Sequence, residues 1–337
     1  MDQRFEQMQT WLSGLKRFEQ GELTYPVPAS SDASFRRYFR VVFKSTTQDQ
    51  SWIIMDAPPQ HEDCRPFIQV SNELSQLGLN VPKVVEQDLS QGFLLLSDLG
   101  STTYLSVLNE SNAEVLYRDA LNALVTLQTR AQADHLPKYD TKLLTNEMGL
   151  FTDWLGQMHC DLTMNPSEHQ AWLTTQDKLI RSALSQPQVY VHRDYHSRNL
   201  MVTEQDNPGI LDFQDAVLGP LTYDAVSLLR DCYIVWPAEQ VTEWQRQYFL
   251  GLCQAGRLTQ SEWSAFVQAF DWMGVQRHLK AAGIFARLYH RDGKDGYLKD
   301  IPATLNYIIQ VGRHYDDMKE LVAWTEKLAL RFDEVTR

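Results

Sequence analysis

The sequence lacks the features that would place the chain in a membrane or in a disulfide-stabilised secreted fold. No apolar run approaches the ~20 residues that a membrane-spanning helix requires. The amino terminus has no continuous apolar segment of the kind found in signal peptides. The four cysteines occur singly, without a C-x-x-C pair, so neither a disulfide framework nor a zinc site is expected. We therefore expect a cytoplasmic protein with reduced thiols.

Positive charge is also scarce, since the formal net charge at pH 7 is −12. A surface that binds nucleic acid or anionic membranes would be basic, so we expect neither partner, although a local basic pocket remains compatible with this balance. The 337 residues, of which 43% are apolar, suffice for two lobes with separate cores. We expect the protein to be a monomer.

The most informative stretch is an apolar strand pattern followed by the polar run HRDYHSRN at residues 192–199. Two further short strand patterns around a turn come next, and Asp212 ends the second of them. This order can bring Asp194, Asn199 and Asp212 to one point. Phosphoryl transfer needs such a set, because one aspartate orients and deprotonates the attacking hydroxyl while an asparagine and an aspartate hold Mg²⁺. The alternative, an ordinary turn with a carboxylate at a strand end, does not account for the spacing of the asparagine.

The spacing of these residues matches the catalytic loop of protein kinases, H-R-D followed by four residues and Asn. With His196 the loop reads H-x-D-x-H-x-x-N, which resembles the aminoglycoside phosphotransferase and choline kinase superfamily. No activation segment and no Ala-Pro-Glu follows Asp212; LGPLTYD, ending at Asp224, follows instead. The resemblance implies that His192, His196 and Asp224 support the catalytic loop. Asp224 also heads an apolar segment and is predicted to N-cap a buried helix.

The same resemblance implies an α+β, bilobal protein-kinase-like fold with a small antiparallel-sheet N-lobe and a larger, mainly helical C-lobe. We expect residues 1–97 to form the lobe that covers the nucleotide. Residues 98–337 would carry the catalytic loop and the metal and sugar sites. The backbone of Ser97, Asp98 and Leu99, at the end of a buried strand pattern, would pair with the adenine of ATP.

Two features that usually bind the phosphates of ATP are missing. Residues 30–43, a loop running into a strand, contain no glycine, and the strand pattern at 51–56 contains no lysine. Hydroxyl and guanidinium side chains can replace these donors. The candidates are Ser31, Ser34, Arg36, Arg37 and Arg40. Glu73, on a predicted helix at 66–77, is the candidate partner of the arginine that replaces the lysine. The alternatives are a solvated basic turn and an exposed helix carboxylate.

A basic segment at residues 277–294 stands out in this acidic chain. Its cations recur near one face of a predicted helix. They are Arg277, Lys280, Arg287 and Arg291. The segment is either a solvated basic face or an anion-binding pocket for the substrate.

Several blocks, among them SDASFRRYFRV, MDAPP, GFLLLSDLG and RHLKAAGIFARL, are similar to one branch of the superfamily. These are the amino-sugar kinases of bacterial cell-wall (peptidoglycan) recycling, which phosphorylate the anomeric (C1) hydroxyl of N-acetylmuramate and N-acetylglucosamine. The resemblance implies an ATP- and Mg²⁺-dependent enzyme with Asp194 as the base. Two alternatives stay open: a kinase of another small alcohol such as an aminoglycoside, choline or homoserine, and a nucleotide-sensing pseudokinase, suggested by the missing lysine and glycines.

Overall fold

The structure, a computed structural model, describes residues 2–30, 35–46 and 48–336. The chain forms two compact units. Unit 1 contains the described residues up to Val107 together with Asn199–Gln214, and unit 2 contains Leu108–Arg198 and the described residues from Asp215 onwards. The division after Val107 differs from the expected boundary at 97/98, and the hairpin after the catalytic loop belongs to unit 1. The roles assigned to the two lobes remain predictions.

The strands are short, and most of them lie in the first third of the chain. In chain order they are β1 (Glu22–Leu23), β2 (Val27–Ser30), β3 (Arg37–Lys44), β4 (Gln50–Asp56), β5 (Val84–Asp88), β6 (Phe93–Ser97), β7 (Gln188–Val191), β8 (Leu200–Met201), β9 (Gly209–Ile210) and β10 (Val217–Pro220).

The α-helices lie mostly in the rest of the chain. They are α1 (Gln3–Ser13), α2 (Arg65–Gln76), α3 (Tyr104–Val107), α4 (Ala113–Arg130), α5 (Thr141–Leu150), α6 (Pro166–Ser185), α7 (Tyr223–Leu229), α8 (Ala238–Gln254), α9 (Trp263–Asp292), α10 (Ile301–Gly312) and α11 (Lys319–Val335). Phe151–His159 continues α5 as a π-helical segment, and 3₁₀ turns occur at Lys16–Phe18, Gln260–Glu262, Asp295–Asp300 and Asp316–Met318.

Unit 1 is built on an antiparallel sheet with the strand order β1-β3-β4-β6-β5, and β2 also pairs with β3. Side chains alternate along β3, where Phe39, Val41 and Phe43 are buried and their neighbours are not. Successive side chains of a strand point to opposite faces of the sheet, so a strand with one buried face shows this period of two residues. The buried face packs against Met8 and Leu12 of α1, so the amino-terminal helix covers the sheet.

Apolar residues recur at helical spacing from Phe5 to Leu15, a pattern that predicts one helix over residues 4–18, but α1 ends at Ser13. Gly14 follows, and Leu15 adopts extended backbone angles before a separate 3₁₀ turn begins. Glycine costs about 1 kcal/mol more than alanine in a helix interior, which explains the break. Phe18 is nevertheless buried in the same core, and the apolar residues of the pattern pack into it as well, so the pattern correctly identified the packed residues.

Helix α9 is the central element of unit 2, where α5, α6, α7, α10 and the π-helical segment pack against it. It is buried along most of its 30 residues. Gly283 lets the backbone of α9 approach the end of α5, since a Cβ at this position would lie 2.3 Å from the carbonyl carbon of Leu150. A helix enclosed in this way can carry polar side chains only if they find partners inside the unit.

The predicted α+β class is confirmed, with an antiparallel sheet in unit 1 and mainly helices in unit 2. In the described part of the chain, no helix combines the length and the apolar character needed to cross a membrane.

Candidate active site

The hairpin in unit 1 brings Asn199 and Asp212 together. Strands β8 and β9 pair antiparallel, with Leu200 opposite Ile210, and the amide of Leu211 donates to the carbonyl oxygen of Asn199 at 2.9 Å. The side-chain Nδ2 of Asn199 lies 3.4 Å from Oδ2 of Asp212. The predicted pair is therefore positioned by local strand pairing.

The backbone of Asp212 lies in the left-handed region, with φ of 62°. Aspartate tolerates this region better than most residues, and such conformations concentrate at functional sites. Its Oδ1 accepts a hydrogen bond of 2.6 Å from Gln214 Nε2, which fixes the carboxylate. The turn thus directs a hard oxygen donor from the end of β9.

These two side chains fit Mg²⁺ by their chemistry. Magnesium prefers oxygen ligands and is usually held by one or two carboxylates together with phosphate oxygens and water. Among the described residues there is no group of three or more His, Cys, Asp or Glu that could hold a metal by themselves. Asn199 and Asp212 match the partial ligand set of a metal that arrives with a nucleotide, rather than a complete protein cage.

The catalytic loop in unit 2 is held through its backbone by Asp224. Oδ2 of Asp224 accepts from the amide of His192 at 2.7 Å, and Oδ1 accepts from the amide of Arg193 at 3.0 Å. Arg193 has φ of 76°, a strained conformation for a long side chain. The carboxylate therefore stabilises the turn that precedes Asp194.

The prediction that Asp224 N-caps its helix is wrong. The N-cap residue of α7 is Thr222, no side chain caps this helix, and Asp224 lies in the first turn. Its carboxylate satisfies amides of a loop that is distant in sequence, which local pattern analysis cannot detect. Burial raises the pKa of Asp224 to about 7, and the two amide donors offset only part of this effect.

A second buried aspartate, Asp231, fixes the other half of the loop. Its Oδ2 accepts from the amide of Ser197 at 3.0 Å and from Ser197 Oγ at 2.5 Å. Its Oδ1 accepts from the amide of Tyr233 at 3.1 Å. Neither this residue nor its role was predicted. The only signal in the sequence was a carboxylate at the end of the apolar run that Asp224 begins.

Asp194 lies between these two anchor points of the loop. Burial opposes its ionisation, but Lys280, His196 and His192 outweigh burial, so the pKa of Asp194 lies below its usual range. The amide of Asp194 also donates to Nδ1 of His192 at 3.2 Å. Burial lowers the pKa of His196, against the raising effect of Asp231 and Asp194. The predicted base is thus an ionised carboxylate on a loop whose backbone is fixed.

Glu147 organises a buried ionic network that was not predicted. Its Oε1 accepts from Arg193 at 2.6 Å and lies 3.2 Å from Lys280 Nζ. Its Oε2 accepts from the hydroxyl of Tyr139, and Lys280 Nζ donates to the hydroxyl of Tyr223 at 2.9 Å. Burial opposes the charge on Glu147, but the two cations overcome it and lower its pKa. The sequence contains no signal for these contacts because Glu147 is far from its partners along the chain.

The three arginines proposed to replace the missing lysine each have an acidic partner within unit 1. Arg36 lies 3.0 Å from Glu62, Arg37 pairs with Asp2 and Asp56, and Arg40 pairs with Asp98 at 2.6 Å. The structure thus brings together two candidates for nucleotide binding, Arg40 and Asp98. Which arginine contacts phosphate remains a prediction.

The other candidates for nucleotide binding are placed as follows. The hydroxyl of Ser97 accepts from the amide of Lys83 at 2.8 Å, and the side chain of Leu99 lies against Gly209. Glu73 accepts from Gln69 at 2.9 Å on α2. Ser31 and Ser34 lie outside the described residues.

The four cations of α9 do not share one environment. Arg277 and Lys280 are buried, and Arg277 donates to Cys232 Sγ at 3.4 Å. Arg287 is half-buried, whereas Arg291 is exposed and pairs with the neighbouring Asp292 at 2.8 Å. Periodicity alone placed them near one face, but the helices around α9 bury two of them inside unit 2.

Sequence comparison identifies close relatives. A profile of the phosphotransferase enzyme family matches residues 27–263. The N-acetylmuramate/N-acetylglucosamine kinase of Pseudomonas aeruginosa is 44% identical over 330 residues, covering 95% of each chain. The kinase of the same name from Neisseria meningitidis is 40% identical over 325 residues, again covering 95% of each chain.

Solved structures of low sequence identity share the fold. A choline kinase from Streptococcus pneumoniae has a TM-score of 0.60 at 11% identity, covering 90% of this chain and 99% of that one. An ADP-bound aminoglycoside phosphotransferase has a TM-score of 0.55 at 16% identity, covering 92% of this chain and 99% of that one.

Proposed function

The chain belongs to the phosphotransferase enzyme family, and from this premise we propose that it is an ATP-dependent kinase of N-acetylmuramate and N-acetylglucosamine. The observation that carries the proposal is the identity of 40–44% with kinases of that name along nearly the whole chain. We further propose that the phosphate is transferred to the anomeric hydroxyl and that the enzyme acts in peptidoglycan recycling in the cytoplasm. The resemblance of the sequence blocks supports both statements.

In the proposed mechanism Asp194 is the base. Its carboxylate accepts the proton of the C1 hydroxyl as that oxygen forms a bond to the γ-phosphorus of ATP and the bond to the β,γ-bridging oxygen breaks, releasing ADP. The lowered pKa of Asp194 supports this role, because an ionised carboxylate is available at neutral pH. Asp224 and Asp231 hold the loop on which the base lies.

Asn199 and Asp212 would hold Mg²⁺ with the nucleotide. When bound, the metal would neutralise charge on the phosphate oxygens. Asp212→Ala and Asn199→Ala should each raise the Mg²⁺ concentration needed for nucleotide binding, because each removes an oxygen ligand from a hard cation. Titration of both variants with Mg²⁺ measures the effect. An unchanged requirement in both would place the metal elsewhere.

The function is tested by incubating the protein with ATP, Mg²⁺ and each sugar, and by assigning the phosphate position with ³¹P and ¹H NMR. We expect 1-phosphates of both sugars. Phosphate on another carbon would contradict the anomeric assignment. Turnover only with choline, homoserine or an aminoglycoside would identify a different acceptor class.

A nucleotide sensor is the second candidate function, and the missing lysine on β4 favours it. Strand β4 lacks a lysine and ends in Asp56, which is already bonded to Arg4 and Arg37. A sensor would bind ATP without turnover on any acceptor. The same assay therefore separates the two, provided that ATP binding is measured in parallel by calorimetry.

A further inference from the structure

Arg198, the last residue of the catalytic loop before Asn199, has a distinctive environment within unit 2. Its guanidinium carbon lies 3.9 Å from the centroid of the Tyr233 ring and 5.2 Å from that of Tyr297. The side chain is half-buried. Among the residues that the structure describes, it forms neither an ion pair nor a hydrogen bond, and only these aromatic contacts hold it.

The rings around Arg198 belong to a larger aromatic cluster. Tyr297 stacks on Phe285 with centroids 5.7 Å apart, Phe285 also contacts Tyr233, and Tyr233 meets the edge of His196. Aromatic contacts engage the faces of a guanidinium and leave its edge N–H donors available for a planar acceptor such as a carboxylate. The cluster therefore holds the cation in place without satisfying its hydrogen-bonding capacity.

The backbone on both sides of this arrangement is fixed. Asp231 accepts from the amides of Ser197 and Tyr233, so a single buried carboxylate positions the residue before Arg198 and the ring that stacks on it. Nδ1 of His196 is buried, and it has no hydrogen-bond partner within the described ranges. The guanidinium of Arg198 and the ring of His196, whose Nδ1 is unsatisfied, thus both lie against the ring of Tyr233. Both residues belong to the loop that carries Asp194.

Other charged groups near Arg198 do not neutralise it. Asp300 is a carboxylate that interacts electrostatically with Arg198. Burial raises the pKa of Asp300, and the positive charges of Lys299 and Arg198 offset this rise only in part. Oδ2 of Asp300 is buried and unpartnered in the described structure, and it forms no ion pair with Arg198. Both side-chain oxygens of Asp231 accept hydrogen bonds from Ser197 and Tyr233.

We propose that Arg198 is the residue that recognises the carboxylate of an anionic acceptor sugar, with the rings of Tyr233 and Tyr297 beside it. This inference rests on the proposed function, because it assigns the feature that distinguishes the two acceptors: N-acetylmuramate carries a lactyl carboxylate and N-acetylglucosamine does not. A chain with net charge of −12 needs such a local cation to bind an anion. On α9, Arg277 and Lys280 are buried and Arg291 is paired with Asp292. Arg287 is half-buried with an unpartnered Nε in the described structure, but unlike Arg198 it is not on the loop that carries Asp194 and no aromatic ring is stacked on it there.

The test compares two sugars in the full-length Arg198→Ala and Arg198→Lys variants. Charge-assisted bidentate hydrogen bonds are strong, so Arg198→Ala should lower kcat/KM for N-acetylmuramate about 10- to 100-fold relative to kcat/KM for N-acetylglucosamine. Arg198→Lys should lose less, because it keeps the charge but not the planar fork. The ratio of the two values cancels any loss from disturbance of the neighbouring Asn199, which would affect both sugars alike.

Two controls isolate the charge. The methyl ester of N-acetylmuramate keeps the bulk of the lactyl group without its charge, so Arg198→Ala should change its kcat/KM no more than that of N-acetylglucosamine. Arg246→Ala is the matched variant, since Arg246 is an exposed arginine that lies 5.4 Å from the ring of Trp263 in the same unit. It should leave the ratio unchanged.

Equal losses on both sugars, or no loss on either, would overturn the proposal. If the parent protein phosphorylates neither sugar, the proposed kinase activity is wrong, but the role of Arg198 can still be tested by measuring sugar binding with calorimetry. The parent should bind N-acetylmuramate more tightly than its methyl ester, and Arg198→Ala should bind the two equally. A preference for the acid that survives in Arg198→Ala, or no preference in the parent, would place the recognition of the carboxylate elsewhere.

Discussion

In the part of the chain that the structure describes, each unit contains a buried carboxylate that pairs with two cations, and the two clusters differ in their surroundings. In unit 1, Asp56 accepts from Arg4 and Arg37, whose side chains are 26% and 38% exposed. Arg4 lies on α1, so the cluster ties the amino-terminal helix to the ends of β3 and β4.

In unit 2, Glu147 binds Arg193 and Lys280, whose side chains are 22% and 11% exposed. This cluster is more deeply buried, and its cations act on Asp194. Removing one partner of a buried ion pair leaves an uncompensated charge, whereas water can solvate exposed partners. The comparison therefore predicts that the Asp56 cluster contributes mainly stability, and that the Glu147 cluster contributes both stability and the charge state of the base.

The largest expected effect is on the rate of phosphoryl transfer, without a matching loss of stability. Asp194→Asn keeps size and polarity but cannot accept a proton, so kcat should fall about 10²- to 10⁴-fold with little change in thermal midpoint or ATP affinity. The matched control is Asp215→Asn, at an exposed position shortly after Asp212. Steady-state kinetics and thermal unfolding measure both quantities. Near-normal turnover in Asp194→Asn would remove this residue from the role of base.

The next effect tests the deeper cluster. Glu147→Gln should lower the free energy of unfolding by about 3–5 kcal/mol, because Arg193 and Lys280 lose their shared anion in a buried environment. Turnover per folded molecule should fall as well. Glu326→Gln, which breaks an exposed pair with Arg313, should cost only about 0–1 kcal/mol. Urea unfolding measures these values, and similar costs for both variants would contradict the assigned importance of burial.

A smaller effect is expected for the cluster in unit 1. Asp56→Asn should cost about 1–3 kcal/mol, less than Glu147→Gln, because water can partly solvate Arg4 and Arg37 once the anion is lost. Turnover per folded molecule should change less than in Glu147→Gln. Asp63→Asn, an exposed carboxylate that pairs with Arg65, serves as the control. A loss of turnover as large as that of Glu147→Gln would show that the two clusters do not differ as proposed.

The smallest effect concerns pH. The pKa of Asp194 lies below its usual range, so its ionised carboxylate persists at neutral pH and is lost only as the pH falls. Lys280→Met should raise this pKa, and the acidic limb of kcat/KM should move to higher pH. His192, His196 and Arg193 still face Asp194 in this variant and favour its ionised form, while Asp224 opposes it.

Lys280→Arg is the control for this experiment, because it retains a cation at the same position. Its acidic limb should stay close to that of the parent in a pH–rate profile. A limb that does not move in Lys280→Met would mean that Lys280 serves only to compensate Glu147.

The sequence by itself determined what depends on near neighbours in the chain. The amphipathic pattern at residues 4–18 identified the side chains of α1 that pack into the core of unit 1, and the strand expected within residues 30–43 is β3. The hairpin of β8 and β9 brings Asn199 to Asp212 because antiparallel pairing joins residues on either side of a short turn. The catalytic-loop motif could be recognised because its residues lie within eight consecutive positions.

Only the tertiary structure decided which distant carboxylates hold that loop and which cations are buried. Asp224 was expected to cap its own helix, and only the family resemblance implied that it supports the loop; its carboxylate binds the amides of His192 and Arg193. Lys280 was placed on an exposed or substrate-binding face, yet the helices around α9 enclose it beside Glu147. Periodicity defines which residues share a face, but their exposure depends on what packs against that face. Buried charges find partners that neither spacing nor composition specifies.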